Sequence, residues 1–201
     1  MAKVVECVPN ISEGREEARV EACLEPIRNT EDVKLLNYSS DADHNRTVIT
    51  FAGTPEGCLE AAFGLAKKAT ELIDLRKHQG EHPRMGAVDV IPFVPVTGVK
   101  MDDCVEMAKS LGERMWNELK VPVYLYEFAA SAPHRTNLAV IRKGEFEGLP
   151  KKMKDPLWKP DFGEDKPHPS AGATVVGARN FLVAYNINLD CADLKIGKKI
   201  V

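Results

Sequence analysis

Hydrophobic positions along this chain switch repeatedly between the two-residue period of a strand and the 3.6-residue period of a helix. Residues 4–8 form a β-branched run that stops at Pro9-Asn10. Ser12 is placed to cap a helix that carries Val20, Leu24 and Ile27 on one face and closes near Asn29. Strands over 33–38 and 47–51 follow, joined by the polar turn Ser39-Ser40-Asp41-Ala42-Asp43-His44-Asn45. Thr54-Pro55-Glu56 opens a second helix, with proline in its first turn, that runs to about Leu75. A strand over 88–96, a helix over about 101–119 and a strand over 121–128 complete the regular part.

The opening order β-α-β-β-α-β is that of the split-βαβ motif. The expected fold class is therefore α/β (α+β): a mixed sheet with helices packed on one face, its ferredoxin-like βαββαβ start extended by further αβ units. Pro92, Pro95 and Pro122 fall inside strand-like runs, which predicts edges, ends or bulges there. From Arg142 to Gly172 the chain turns to Lys, Pro, Gly and Asp and reads as a long loop or arm. Strand chemistry returns over 175–188, with Gly177 a place for a bend.

Composition narrows the function. The 201 residues are 44% hydrophobic, enough to offset chain entropy, so disorder is excluded. Against 30 acidic residues the 27 Lys and Arg leave no basic excess, which speaks against a nucleic-acid partner. No stretch of about 18 uninterrupted apolar residues marks a membrane span, and Glu6 interrupts any signal-peptide core. Five scattered cysteines without a CxxC pair predict reduced, mostly buried thiols and a cytoplasmic protein.

Candidate chemistry gathers in three places. His78-Gln79-Gly80-Glu81-His82 matches the H-x-x-E-H zinc-peptidase spacing, but Gly80 and Pro83 break the helix that spacing needs, so no metal is expected. A rigid loop before a strand suits a proton-transfer histidine better, with Glu81 or Asp89 to orient it. His82, between Glu81 and Pro83, is that candidate, while His78 reads as a cap on the preceding helix. Asp41-Ala42-Asp43-His44-Asn45-Arg46 is equally a hairpin turn and a charged site. Gly172-Ala173-Thr174-Val175-Val176-Gly177-Ala178-Arg179 has the frame of a P-loop without its Lys and Ser/Thr, so its glycines read as points of close backbone approach. The segment from Asn10 to Arg15 ends a strand at a helix start, where free amides could receive an anion.

Taken together, several runs of this sequence resemble the N-terminal subdomain of the formiminotransferase family. They are Val5-Glu6-Cys7-Val8-Pro9-Asn10-Ile11-Ser12-Glu13-Gly14, Asp43-His44-Asn45-Arg46-Thr47-Val48 and Gly80-Glu81-His82-Pro83-Arg84-Met85-Gly86. Further on are Val121-Pro122-Val123-Tyr124, Trp158-x-Pro160-Asp161-Phe162-Gly163 and Gly177-Ala178-Arg179-x-Phe181-Leu182. The resemblance implies transfer of a formimino group from N-formimino-L-glutamate to the co-substrate tetrahydrofolate, in histidine degradation. It makes His82 the catalytic histidine and assigns folate contact to Gly163, Glu164, Asp165, Lys166, Pro167, His168, Pro169, Ser170, Ala171 and Gly172. Asn10, Asp43, Arg46, Arg84 and Arg179 become candidates for the substrate, guanidinium groups being suited to carboxylates.

The same resemblance divides the chain into the N-terminal subdomain, residues 1–189, and the start of a helix, residues 190–201, leading to a second subdomain. Homo-oligomerisation or association with that subdomain is expected, and deaminase activity is not. The contrasting expectation is a non-catalytic folate-binding module, or half-enzyme, that works only with a separate second subdomain.

Overall fold

The computed structural model describes residues 2–182, together with Cys191, Lys195, Ile196 and Lys199. Strands β1 (Val4–Cys7) and β2 (Asn10–Ile11) form one line of chain interrupted at Pro9, which has no N–H to give a ladder. Helix α1 (Glu17–Arg28) leads to the antiparallel pair β3 (Val33–Asp41) and β4 (Arg46–Gly53). Helix α2 (Pro55–Leu72) starts as its sequence predicts: the Thr54 side chain accepts from the Gly57 amide, and Pro55 occupies the first turn. Central strand β5 (Val88–Thr97) is followed by α3 (Met101–Arg114), whose last turn widens to a π-helix over Met115–Leu119. Then come β6 (Val123–Glu127), two short helices, α4 (Leu138–Arg142) and α5 (Glu145–Lys152), and β7 (Thr174–Ala178).

In space β4 lies between β3 and the β1–β2 line, and β5 pairs antiparallel with the far side of that line. That is the ferredoxin-like arrangement expected from the element order. β7 then runs parallel to both β5 and β6, between them. The strand expected over 175–188 is thus observed over Thr174–Ala178. Its continuation beyond 182, and the helix expected over 190–201, fall largely outside the described residues.

The prolines sit where the ladder is broken. Pro95 pairs with Val5 at a register shift, and Pro92 faces the β1–β2 interruption, its carbonyl accepting from the Val8 N–H at 3.3 Å. Gly177 is needed at its position because a Cβ would stand 2.4 Å from the Tyr126 ring. At Gly172, with φ +71°, a Cβ would stand 2.1 Å from the Met85 carbonyl oxygen.

Helices α1, α2 and α3 cover one face of the sheet. Leu24, Ile27, Leu65 and Leu111 pack there on Val5, Cys7, Ile49, Phe51, Phe93 and Val176, all fully buried. The arm after Arg142 is more regular than its composition suggests. Leu149 of α5, Met153 and Ile141 of α4 bury against Tyr124, Tyr126 and Val175, adding a smaller core on the opposite face. Four thiols, Cys7, Cys23, Cys58 and Cys104, are free and buried. No helix among the described residues is long and apolar enough to cross a membrane.

Candidate active site

Three loops converge beside the β2–β4–β5 end of the sheet, and Asn45 ties them together. In the left-handed region at φ +47°, it closes the β3–β4 hairpin. Its side-chain oxygen accepts from the Gly14 N–H at 3.0 Å, and its amide donates to the Gln79 carbonyl at 2.9 Å. Its own carbonyl lies 2.9 Å from Nε2 of His78. Asp41 folds the hairpin tip by accepting from the His44 N–H at 2.8 Å. The acidic and amide residues of the tip are therefore turn residues that also dock the histidine loop. Asp43 contributes its carbonyl, which accepts from the Glu81 N–H at 3.1 Å, and its side chain is exposed.

Two capping expectations are corrected. Ser12 does not cap α1: it is buried, and its hydroxyl donates to the Gly86 carbonyl at 2.7 Å, pinning the histidine loop to β2. Oε1 of Glu13 instead takes the N–H groups of Gly14, Arg15 and Glu16 at 2.9–3.0 Å. Although burial opposes the charge, those donors and Arg19 hold the Glu13 carboxylate below its usual range. The amides that an external anion could have used are thus occupied by the protein's own carboxylate.

His78 does not cap α2 either, since that helix closes at Leu72, six residues earlier. Nδ1 of His78 accepts from Nε of Arg84 at 3.1 Å, so the ring proton sits on Nε2 and points at the Asn45 carbonyl. Arg84 is 7% exposed and hydrogen-bonded through all three guanidinium nitrogens. Nη1 reaches Glu145 and Glu147 at 2.9 Å each, and Nη2 reaches Glu147 at 2.7 Å. Its guanidinium brackets the histidine loop to α5 and leaves no fork open to a substrate carboxylate, contrary to the expectation from sequence.

Residues 78–82 are not helical, as the glycine and proline predict. His82 is half-buried, its ring centroid 6.4 Å from that of His44. Burial first, then the charges of Arg46 and Arg142, push the imidazole down to about 3, so the ring is neutral near pH 7. Asp89, one of the two acids considered as its orienting partner, is fully buried but turned elsewhere. Oδ1 accepts from the Met85 N–H at 2.8 Å, and Oδ2 pairs with Nη2 of Arg142.

Arg46, Arg142 and Arg179 line a cavity of about 620 Å³ on the sheet face opposite the three-helix layer. Asn10, Val48, Val90, Pro92, Tyr126, Glu127 and Asn137 complete much of its wall. Asn10 donates to the Val8 carbonyl at 3.3 Å, and Arg179 donates to the Asn180 carbonyl at 2.9 Å. The Arg46 side chain has no hydrogen-bond or ion-pair partner among the described residues, and Nε atoms of both Arg46 and Arg142 are buried without an acceptor. Burial and the nearby Arg142 charge lower the Arg46 pKa. Three arginines against Asp89 and the exposed Glu127 leave a surplus of positive charge near a neutral imidazole, an arrangement suited to receiving an anion and moving a proton at it.

The ten residues from Gly163 to Gly172 do not line that cavity. Gly163, at φ +129°, packs on Pro122 and Trp116, and Lys166 pairs with Glu164 at 2.7 Å in solvent. The latter half returns to the histidine loop: Ala87 N–H donates to the Ala171 carbonyl, and Leu75 N–H to that of Ser170. His168 holds the turn, its Nδ1 accepting from the amides of Ser170 and Ala171.

Residues 4–179 match the formiminotransferase domain, N-terminal subdomain. The chain belongs to this family. A glutamate formimidoyltransferase of Streptococcus pyogenes serotype M1 is 51% identical over 200 residues, covering 100% of this chain and 67% of that protein. A formimidoyltransferase-cyclodeaminase of Rattus norvegicus is 53% identical over 189 residues, 94% of this chain and 35% of that protein. A glutamate formimidoyltransferase of Thermoplasma acidophilum is 49% identical, over 98% of this chain and 65% of that protein. The chain therefore spans between about a third and two thirds of the length of these relatives.

Within this formiminotransferase subdomain, sequence reasoning passed over Arg142 and Tyr126. A signal for Arg142 existed. Asp89 is an acid in the otherwise apolar run Val88-Asp89-Val90-Ile91, and a buried carboxylate requires a cationic partner.

Proposed function

We propose that the chain acts in transfer of the formimino group from N-formimino-L-glutamate to tetrahydrofolate, with His82 as proton shuttle. The observation that carries this reading is the neutral, half-buried His82 imidazole within reach of the charges of Arg46 and Arg142, two arginines of the cavity wall. In the reaction a C–N bond forms at folate N5 and the C–N bond to glutamate breaks. One proton leaves N5, and one arrives on the departing nitrogen.

A neutral imidazole can take the first proton and return the second, provided its affinity for protons rises once substrate is bound. Arg46 and Arg179 supply charge for substrate carboxylates, and Asn10 supplies a polar wall beside them. Binding of a carboxylate would offset the arginine charges that add to burial in holding His82 down, moving its pKa back up. Folate contact by the segment from Gly163 to Gly172 belongs to this reading as well. Its contacts with the histidine loop support it, although it lies apart from the arginine-lined cavity.

Association with a second subdomain or a second copy, closing over the cavity face, is also part of the proposal. Leu182 at the cavity rim and its neighbour Phe181 are 71% and 61% exposed. Replacing His82 with alanine tests the whole. Turnover should fall roughly 10²–10⁴-fold while folinic acid still binds. Full turnover by the variant would overturn the role of His82. Folinic acid binding without any turnover by the unaltered protein would favour a non-catalytic folate-binding module.

A further inference from the structure

The geometry points to Arg142 as the residue that, with Arg46, grips the α-carboxylate of formiminoglutamate, and to buried Asp89 as the positioning residue that aims it. The inference rests on the formimino-transfer reading and adds to it the identity and orientation of the carboxylate.

Arg142 ends α4 and lines both the large cavity and a smaller recess formed with Pro83, Ala139, Lys143, Gly144 and Glu145. Its position is fixed from two sides. Asp89, with a side chain 2% exposed, pairs with Nη2 while its other oxygen holds the Met85 N–H, so one carboxylate links the histidine loop to Arg142. From the other side, Lys152 donates to the carbonyls of Val140, Ile141 and Lys143, closing the C-terminal end of α4. The Lys152 ammonium itself lies 4.0 Å from the centre of the Trp158 ring. A long cationic side chain is otherwise costly to immobilise, so two clamps on so short a helix mean that the guanidinium direction is set.

Asp89 answers one face of the Arg142 charge. Arg46, at the start of β4, makes no ion pair among the described residues: Asp89 and the exposed Asp41 favour its charge from a distance, but neither outweighs its burial and the Arg142 charge. Glu127, the acid on the cavity wall, belongs to the exposed end of β6. The pair thus carries a surplus positive charge next to His82.

The chemistry of the two substrates says which anion belongs there. In formiminoglutamate the α-carboxylate is two bonds from the nitrogen that leaves. The carboxylates of tetrahydrofolate lie across its aminobenzoyl group from N5. A cationic pair close to the proton-transfer histidine fits the former.

The test compares N-formyl-L-glutamate with N-formyl-L-isoglutamine, in which the α-carboxylate is an amide, by calorimetry, alongside steady-state turnover. The unaltered protein should prefer the acid roughly tenfold or more, the worth of a charge-assisted pair. Arg142→Gln should abolish that preference and raise KM for formiminoglutamate about as much, with KM for tetrahydrofolate within about twofold. Asp89→Asn should reproduce the KM effect with kcat largely kept, a split that loss of structure alone would not give. Melting curves exclude unfolded variants, and Arg142→Lys, which keeps charge without the fork, should recover part of the preference. A preference retained in Arg142→Gln, or a KM effect confined to tetrahydrofolate, would overturn the inference while leaving the reaction intact. An unaltered protein that turns over no formiminoglutamate would remove the underlying reading.

Discussion

The two faces of the sheet obey different rules. On the face covered by α1, α2 and α3, side chains such as Phe51, Phe93, Leu24 and Leu65 are fully buried among apolar neighbours. On the opposite face, over β2, β4 and β5, arginines line an open cavity, and two of their Nε atoms are buried without an acceptor. The first arrangement is what a chain does to lower its free energy. The second raises it, since unpaired buried donors and a cationic cluster are unfavourable until an anion arrives. The difference supports the proposed site: a face poorly satisfied by the protein itself is one that a ligand can complete.

The contrast breaks first under truncation. Phe51→Ala, on the helix-covered face of β4, should lower stability by about 3–5 kcal/mol. Val48→Ala, three residues earlier and on the cavity wall, should cost about 1 kcal/mol or less. Denaturant unfolding of both variants checks the pair. Equal losses would mean that the cavity face is as tightly packed as the other.

Acid sharpens the same contrast through His82. The imidazole is protonated in the unfolded chain below its ordinary value of 6.5 but in the folded chain only near 3. Between those values the unfolded state binds the extra proton, so stability falls as pH drops from 6.5 toward 3. His78, lowered mainly by burial, acts in the same direction. Two-dimensional NMR of the ring protons should show His82 titrating near 3 in the free protein, and higher once Arg46 is replaced by methionine. A titration near 6.5 in the free protein would remove the cationic field from the argument.

The helix-covered face was the more legible in the sequence, for a physical reason. Its periodicities, the Thr54-Pro55 start and the βαββαβ order are local signals, and burial of the apolar stripe follows from them. The other face depends on pairings across long separations. His78 and Ser12 read as helix caps because capping is a local habit of those residues. Yet Ser12 bonds Gly86 and His78 bonds Asn45, contacts that exist only once three loops have met. Arg142 lay hidden for the same reason, 53 residues from the acid that holds it. His82 was legible because glycine and proline fix its loop, whatever surrounds it. The arm gave the least away: Glu, Lys and Pro hide α5, whose Leu149 and Phe146 pack inward.

Arg84 separates structure from chemistry within the site, and with the smallest expected effect. Its bonds join the histidine loop to α5 through Glu145 and Glu147, and to the hairpin tip through His78. Both glutamates are 43–64% exposed, so water screens much of the pairing. Arg84→Met, which keeps the length of the stem, should cost about 1–2 kcal/mol, between the worth of surface and buried pairs. Because Arg84 does not line the arginine-walled cavity, KM for formiminoglutamate should hold while kcat falls as the loop carrying His82 loses its anchor to α5. A large rise in KM with unchanged stability would return Arg84 to the substrate-binding role its sequence position suggests, and would place the cationic site on both sides of the histidine loop.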